Sequence, residues 1–412
     1  MATRLEDVPS ELVIDFDMFD ESIVETVHER LEEIQESTPL AYCPSHGGYW
    51  VVTRYDDVYE VLRNDDVYSA AETGLGLGME MPRLPPLHFD APEHTAYRTL
   101  LNPVFSPARM KPVEGAIRDM ATRLLDEFVG TGSCEFVSQF AHPLATTTFI
   151  SLMGWPLEDL PQMAEWTNAM MVTGGAPDEE LLARRAAVSA AVTEYFQRML
   201  EQRRSNPDMD DITGYMLGAL YDGERPLSDD ELIRMLRLLM AGGLHTVRGI
   251  MGFGMISLAE DQEQRQRLID DPSLIPSAVE ELLRMGVGSA PARLVIKPVT
   301  LHGVDLQPGD HVVSYISAAN RDPAMFECPH ALQVDREHNR HLTFATGRHR
   351  CIGSNLARLE LAVAFEEVLA RMPDFRIDPD RPPLLHHGPI RGIQTLNLTF
   401  TPTAAPLATV PV

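Results

Sequence analysis

Positive charge is scarce in this chain: 34 lysines and arginines face 61 aspartates and glutamates, for a formal net charge of −27. That deficit excludes nucleic acid and anionic membrane surfaces as expected partners, since both are polyanions, and it favours solubility. Cysteine is nearly absent. The four present, Cys43, Cys134, Cys328 and Cys351, are far apart and form no Cys-x-x-Cys pair. This excludes a disulfide framework or a zinc module and fits a reducing cytoplasm. Long uncharged apolar runs are missing too. The most apolar stretch, residues 235–258, contains Arg237, His245 and Arg248, so it reads as a long buried helix rather than a membrane span. The first ten residues are polar and acidic, and the expectation is no signal peptide, transit peptide or membrane anchor. No repeat, low-complexity tract or Gly/Ser- or Pro-rich linker occurs. Length alone would divide 412 residues into two or three domains. Without a linker, the expectation is one domain over residues 1–412, a helix-rich core with a smaller β-rich N-terminal portion.

Apolar residues recur at helical spacing over 21–36, 93–103, 113–128, 179–204, 228–259, 273–284 and 355–372. Ser228 with Glu231 three residues later is a capping box, and Ser273 would cap its helix less well. Strand-like pieces lie at 49–53, 294–296, 311–315 and 395–400. Helix dominates, with small sheets at the edges. Among the aperiodic segments, 173–177 breaks two helices and 204–211 is a polar connector. Residues 73–89 are rich in Gly, Met and Pro. So many apolar side chains in a loop suggest a lid rather than a solvated connection.

The densest chemistry surrounds Cys351. Phe344-Ala345-Thr346-Gly347-Arg348-His349-Arg350-Cys351-Ile352-Gly353 places a lone thiol between glycines, beside cationic groups, just before a helix. Positive charge and a helix N-terminus both lower a thiol pKa, and a thiolate is a soft ligand suited to iron. The pattern Phe-x-x-Gly-x-His-x-Cys-x-Gly, followed by Leu356-Ala357-Arg358, resembles the haem-binding loop of the cytochrome P450 family. That family usually has Gly where this chain has Ala345, so a strained backbone is expected there. Upstream, Glu281 and Arg284 share a helix face and resemble the family's Glu-x-x-Arg pair. Its third member would come from Asp335-Arg336 or from His338, clamping the scaffold behind the haem. Asn320-Arg321-Asp322-Pro323 also matches. So does Ala241-Gly242-Gly243-Leu244-His245-Thr246, which resembles the oxygen-activation segment Gly-Gly-x-acid-Thr, with His245 in place of the acid.

The resemblance covers nearly the whole chain. It extends to the camphor hydroxylase subfamily through Asp7-Val8-Pro9 and Glu201-Gln202-Arg203-Arg204. It implies a mainly α fold with small β-sheets, a triangular helical prism around a buried haem b (iron protoporphyrin IX). It implies Cys351 as the iron ligand and His94, Arg98, Arg293 and His349 as partners of the haem propionates. Phe344 and Gly242 would lie against the macrocycle. Thr246 would help deliver protons to dioxygen. His245, with an ordinary pKa near 6.5, could still shuttle them. Thr73, Met81, Pro82, Leu84, Leu87, Leu238, Ala241, Ser289, Pro291 and Ile390 would line an apolar pocket for a small or medium hydrophobic substrate. The subfamily's phenol donor to camphor falls at Pro82, which makes camphor itself a poor candidate. The implied activity is a monooxygenase of the terpenoid or aromatic substrate class, a cytoplasmic monomer. With no flavin or nicotinamide fingerprint in the chain, electrons would come from an iron–sulfur ferredoxin, or a flavodoxin, with its reductase. Arg340, Arg348, Arg350 and Arg358 crowd the Cys351 loop and would dock an acidic redox partner. Two other readings stand beside this one: a peroxide-driven haem-thiolate enzyme, for which the missing acid is harmless, and a haem protein that binds ligand without turnover.

Overall fold

A computed structural model of the chain describes residues 2–72, 83–170, 179–206, 211–286, 288–386, 388 and 390–403. The expected lid lies outside the described residues over 73–82, as do the 173–177 break and residues 207–210 of the polar connector. The helices that build and frame the site are α1 (Val27–Ser37), α2 (Glu93–Leu101), α3 (Glu114–Asp126), α4 (His142–Met153), α5 (Glu179–Ser205), α6 (Asp229–Gly243), α7 (Thr246–Glu260), α8 (Ile275–Met285) and α9 (Ser354–Arg371). α9 packs on α3 and α8, and α7 packs on α8, α9 and α4. Their apolar faces merge into one large core that includes Phe149, Met240, Leu282, Leu361 and Phe365. Among the described residues, no helix is long and apolar enough to cross a membrane.

Two kinds of helix escape the periodicity argument. Tyr55–Arg63 is amphipathic, burying Tyr55, Val58, Val61 and Leu62, but is shorter than a useful window. α4 buries residues nearly all round and carries a run of threonines, so it shows no stripe.

A five-stranded sheet covers the N-terminal side. Its strands are β1 (Ala41–Cys43), β2 (Tyr49–Val52), β3 (Tyr68–Ser69), β4 (Ala292–Val295) and β5 (His311–Ser314), in spatial order β1-β2-β5-β4-β3. β5 pairs parallel to β2; the other pairs are antiparallel. Alternation sends Trp50, Val52 and Val312 into one apolar layer and Tyr49, Val51 and Val313 into the other. A hairpin, β6 (Leu384–His386) with β7 (Gly392–Thr395), packs on α7.

Ser228 does form the capping box with Glu231. Ser273 is not a cap: Asp271 accepts from the Ser273 N–H and takes that role. The single helix expected over 228–259 is broken. Leu244 and His245 form a turn, with His245 at φ −121°, ψ −33°. Two glycines weaken the helix there by about 1 kcal/mol each, and the Thr246 hydroxyl donates to the Gly242 carbonyl at 3.1 Å, next to the break. The two glycines have different reasons. A Cβ on Gly243 would lie 2.5 Å from the Phe149 ring, whereas one on Gly242 would meet nothing within 4 Å. Only Gly242 borders open volume.

The Glu281–Arg284 pair is fully buried, with Nε–Oε2 at 2.8 Å. Arg284 also donates to the carbonyls of Asn320 (2.8 Å) and Pro329 (2.7 Å). The third member is Arg336, whose Nε reaches both Glu281 oxygens at 3.0 and 3.1 Å, and Asn339 adds a bond at 3.0 Å. Asp335 faces outward to Arg267 instead. Removing one partner of a buried ion network strands charge in low dielectric. Arg336→Ala should therefore cost about 3 kcal/mol in urea unfolding, while Asp335→Ala leaves the midpoint near the parent's. Equal effects would mean the network does not depend on Arg336.

Candidate active site

Cys351 lies in the loop between Phe344 and α9. Its N–H donates to the Phe344 carbonyl at 2.8 Å, closing the loop on itself. Ala345 has φ 54°, so the strain expected of an alanine in this place is present. The thiol opens onto interior space, yet protein surrounds it closely. Burial pushes its pKa up, against the Gly353 N–H and the charges of Arg98, Arg350 and Arg358. The thiolate expected from charge alone is therefore not what the unliganded loop favours. A bound metal cation would supply the missing stabilisation. Phe344 is buried, with the Arg358 guanidinium 4.6 Å from its ring centroid.

His94 and Arg98 share a face of α2, Arg293 lies on β4, and His349 sits two residues before the thiol. The structure brings them together. The His94 and His349 rings stand 4.1 Å apart. Burial first, then neighbouring arginines, lowers His94 to about 4 and His349 to about 2. Both nitrogens of His94, Nε2 of His349 and Nε of Arg293 are buried without a partner. Arg293, only 4% exposed, donates from Nη1 to no more than its neighbour's carbonyl, Ala292 O at 2.9 Å. Arg98 donates to the Arg350 carbonyl at 2.9 Å, tying α2 to the thiol loop. Buried nitrogens without a hydrogen-bond partner are costly. A flat cofactor with two carboxylates and an iron above Cys351 would satisfy them, so these residues fit the haem that the resemblance implies.

Leu238, Ala241, His245 and Thr246 are partly exposed and Gly242 is exposed, on otherwise buried helices. Leu238, Ala241 and Gly242 share a face of α6, and His245 and Thr246 follow at the break and the start of α7. His245 has both ring nitrogens buried and unpartnered. Burial, then Arg248, His142 and His386, lowers its pKa to about 3. The expected shuttle with a pKa near neutrality is corrected: burial first, and basic neighbours second, favour the neutral imidazole. Ser289 and Ile390 pair in an isolated antiparallel bridge, with Pro291 half-buried two residues on. Leu84 is half-buried just before the turn at 85–88, and Leu87, within that turn, is 39% exposed. Thr73, Met81 and Pro82 lie outside the described residues.

Of the four arginines near the loop, Arg358 is bound to Glu280 at 2.6 Å and is partly buried, whereas Arg348 is bound to Asp65 at 2.9 Å and stays exposed, as do Arg340 and Arg350. Sequence reasoning also passed over the neighbours of His245. An arginine one turn after it, inside an apolar run, was the available signal.

The family model "Cytochrome P450" matches residues 177–395. The chain is 32% identical over 372 residues to "Probable cytochrome P450 127A1" of Sinorhizobium fredii, covering 89% of this chain and 87% of that protein. It is 35% identical over 366 residues to "Mycinamicin IV hydroxylase/epoxidase" of Micromonospora griseorubida, covering 85% and 89%. Among solved structures it resembles CYP101J2 with a TM-score of 0.87 at 30% identity, covering 97% of this chain and 100% of that one. For CYP101C1 the TM-score is 0.85 at 31% identity, over 97% and 100%.

The strain at Ala345 yields a test. Glycine adopts positive φ freely, so Ala345→Gly should raise stability to urea by about 0.5–1 kcal/mol after its greater unfolded-state entropy is counted. An unchanged or lower midpoint would show that the loop is relaxed.

Proposed function

The chain belongs to the cytochrome P450 family, and from that membership we propose that it is a haem b–thiolate monooxygenase hydroxylating a C–H bond of a small or medium hydrophobic substrate, of the terpenoid or aromatic class. The observation that carries the reading is the cluster of His94, Arg98, Arg293 and His349 near the Cys351 thiol, with nitrogens of His94, Arg293 and His349 buried without a hydrogen-bond partner. Iron protoporphyrin IX, when bound, supplies dioxygen activation and the oxidising power that C–H bonds require. Cys351 would ligate the iron, and the four basic residues would hold the propionates. Gly242 leaves room for the macrocycle and its ligand. Leu238, Ala241, Ser289, Pro291 and Ile390 would hold the substrate and exclude water.

Thr246 has the proton-handling role. Its hydroxyl donates to the Gly242 carbonyl at 3.1 Å, which leaves its lone pairs free to hold a water and pass a proton at that atom. His245 can join only as a neutral ring, accepting at one nitrogen while donating from the other. A fixed negative charge is missing there, and this favours the peroxide-driven enzyme as a second reading. For the first, electrons come from a ferredoxin, or a flavodoxin, with its reductase. Arg340, Arg348 and Arg350 are the exposed arginines to meet it. The chain's charge of −27 suits a cytoplasmic setting without membrane or nucleic-acid contact.

Cys351→Ala should abolish the thiolate-type carbon monoxide spectrum, while Cys43→Ala, Cys134→Ala and Cys328→Ala retain it. A normal spectrum in the Cys351 variant would end the reading. Thr246→Ala should lower product per NAD(P)H by about tenfold and raise hydrogen peroxide release to match. If it changes neither, and added peroxide supports turnover better than ferredoxin, the second reading replaces the first.

A further inference from the structure

Four basic side chains meet at the first turn of α7, apart from the haem cradle. His245 and Arg248 come from the start of α7. His142 opens α4, behind a π-helical turn, Val137–Ala141, that packs on α7. His386 ends β6 opposite Gly392 of β7, which packs on α7 as well. The His386 ring occupies the place a side chain at Gly392 would fill. Both ring nitrogens of His245 and Nδ1 of His142 and of His386 are buried without a partner. Arg248 makes no hydrogen bond or ion pair to any described residue. Burial, then Arg248, lowers the pKa of all three histidines. Among the described residues, the only carboxylate acting on the four is Glu21, and it acts on His386 alone.

This is the signal that marks the haem cradle: basic side chains whose buried nitrogens have no hydrogen-bond partner. The haem carboxylates cannot serve both, because the groups around His94 and His349 share no member with this cluster. Nor is it a metal centre. Among the described residues, no group of three or more His, Cys, Asp or Glu is arranged to hold a metal ion. All four side chains keep some open surface, and Arg248 follows His245 at the start of α7. His386 and the expected pocket residue Ile390 belong to the same hairpin, so the basic cluster borders the expected apolar pocket.

We propose that this cluster is a subsite for a carboxylate carried by the hydrophobic substrate, with Arg248 as counter-charge and the three imidazoles as donors. The proposal rests on the monooxygenase reading and narrows its substrate to an apolar acid. One guanidinium among neutral rings matches a planar monoanion held bidentately. A phosphate dianion would call for a second cation.

The test titrates the holoenzyme, by calorimetry and by the haem Soret shift, with octanoate, dodecanoate and cinnamate, each beside its methyl ester, and with acetate and inorganic phosphate. At least one acid should bind about tenfold tighter than its ester. That preference should vanish in Arg248→Leu and survive in part in Arg248→Lys, with ester affinity changed by less than about twofold. If Arg248→Leu does not fold, His386→Gln should weaken the same preference. Acids that bind no tighter than their esters, or a preference that persists in both Arg248→Leu and His386→Gln, would overturn the proposal. Acetate or phosphate binding as tightly as the long acids would make this a free-anion site and overturn the substrate assignment. A thiolate-type carbon monoxide spectrum without acid preference removes only the carboxylate subsite. Loss of that spectrum removes the monooxygenase reading itself.

Discussion

The buried Glu281–Arg284 pair is the constraint on which the rest of the chain is hung. Neither side chain touches solvent, so the desolvation of both charges has to be offset by bonds supplied from elsewhere. Those bonds come from one stretch of chain. The carbonyls of Asn320 and Pro329 accept from Arg284, while the Gln333 N–H, Arg336 and Asn339 donate to Glu281. The Asn320 side chain then accepts from the Leu342 N–H at 2.7 Å, and Thr343 donates to the Leu283 carbonyl at 2.8 Å. Residues 320–343 are thereby held to α8, and the Cys351 loop starts at the next residue. A polar network of this kind tolerates little displacement, since each unmet bond in low dielectric is expensive. That rigidity lets the following loop carry strain at Ala345 and still present Cys351 in one position.

How much of this was legible in the sequence follows from the range of each interaction. The capping box at Ser228 and the Glu281–Arg284 spacing are local, and both were readable. The Phe344–Gly353 motif was legible down to the positive φ at Ala345, because backbone geometry there follows from residue type. Arg336 could be narrowed only to a short segment, since Asp335 and His338 offer similar chemistry and only the fold decides which one turns inward. The break at His245 was illegible. Gly243 is needed by Phe149, a ring about ninety residues away in sequence, and no local pattern records that contact.

Electrostatics misled most where residues far apart in the chain converge. A histidine in sequence looks titratable near neutrality. His245 is not, because His142 and His386 arrive from distant elements and Arg248 adds a full charge beside it. Cys351 shows the same error with the opposite sign. Its cationic neighbours are visible in sequence, whereas the burial that outweighs them belongs to the tertiary structure.

Both perturbations are led by burial. The folded chain concentrates basic side chains in two buried places and leaves several of their nitrogens without a hydrogen-bond partner, although the chain as a whole carries a large excess of acid. Buried donors in that state carry a cost until acceptors enter. A ligand that binds either place would stabilise the fold as well as completing a site, in proportion to its affinity for the native state alone. Binding and stability would then be coupled through the same unpaired nitrogens.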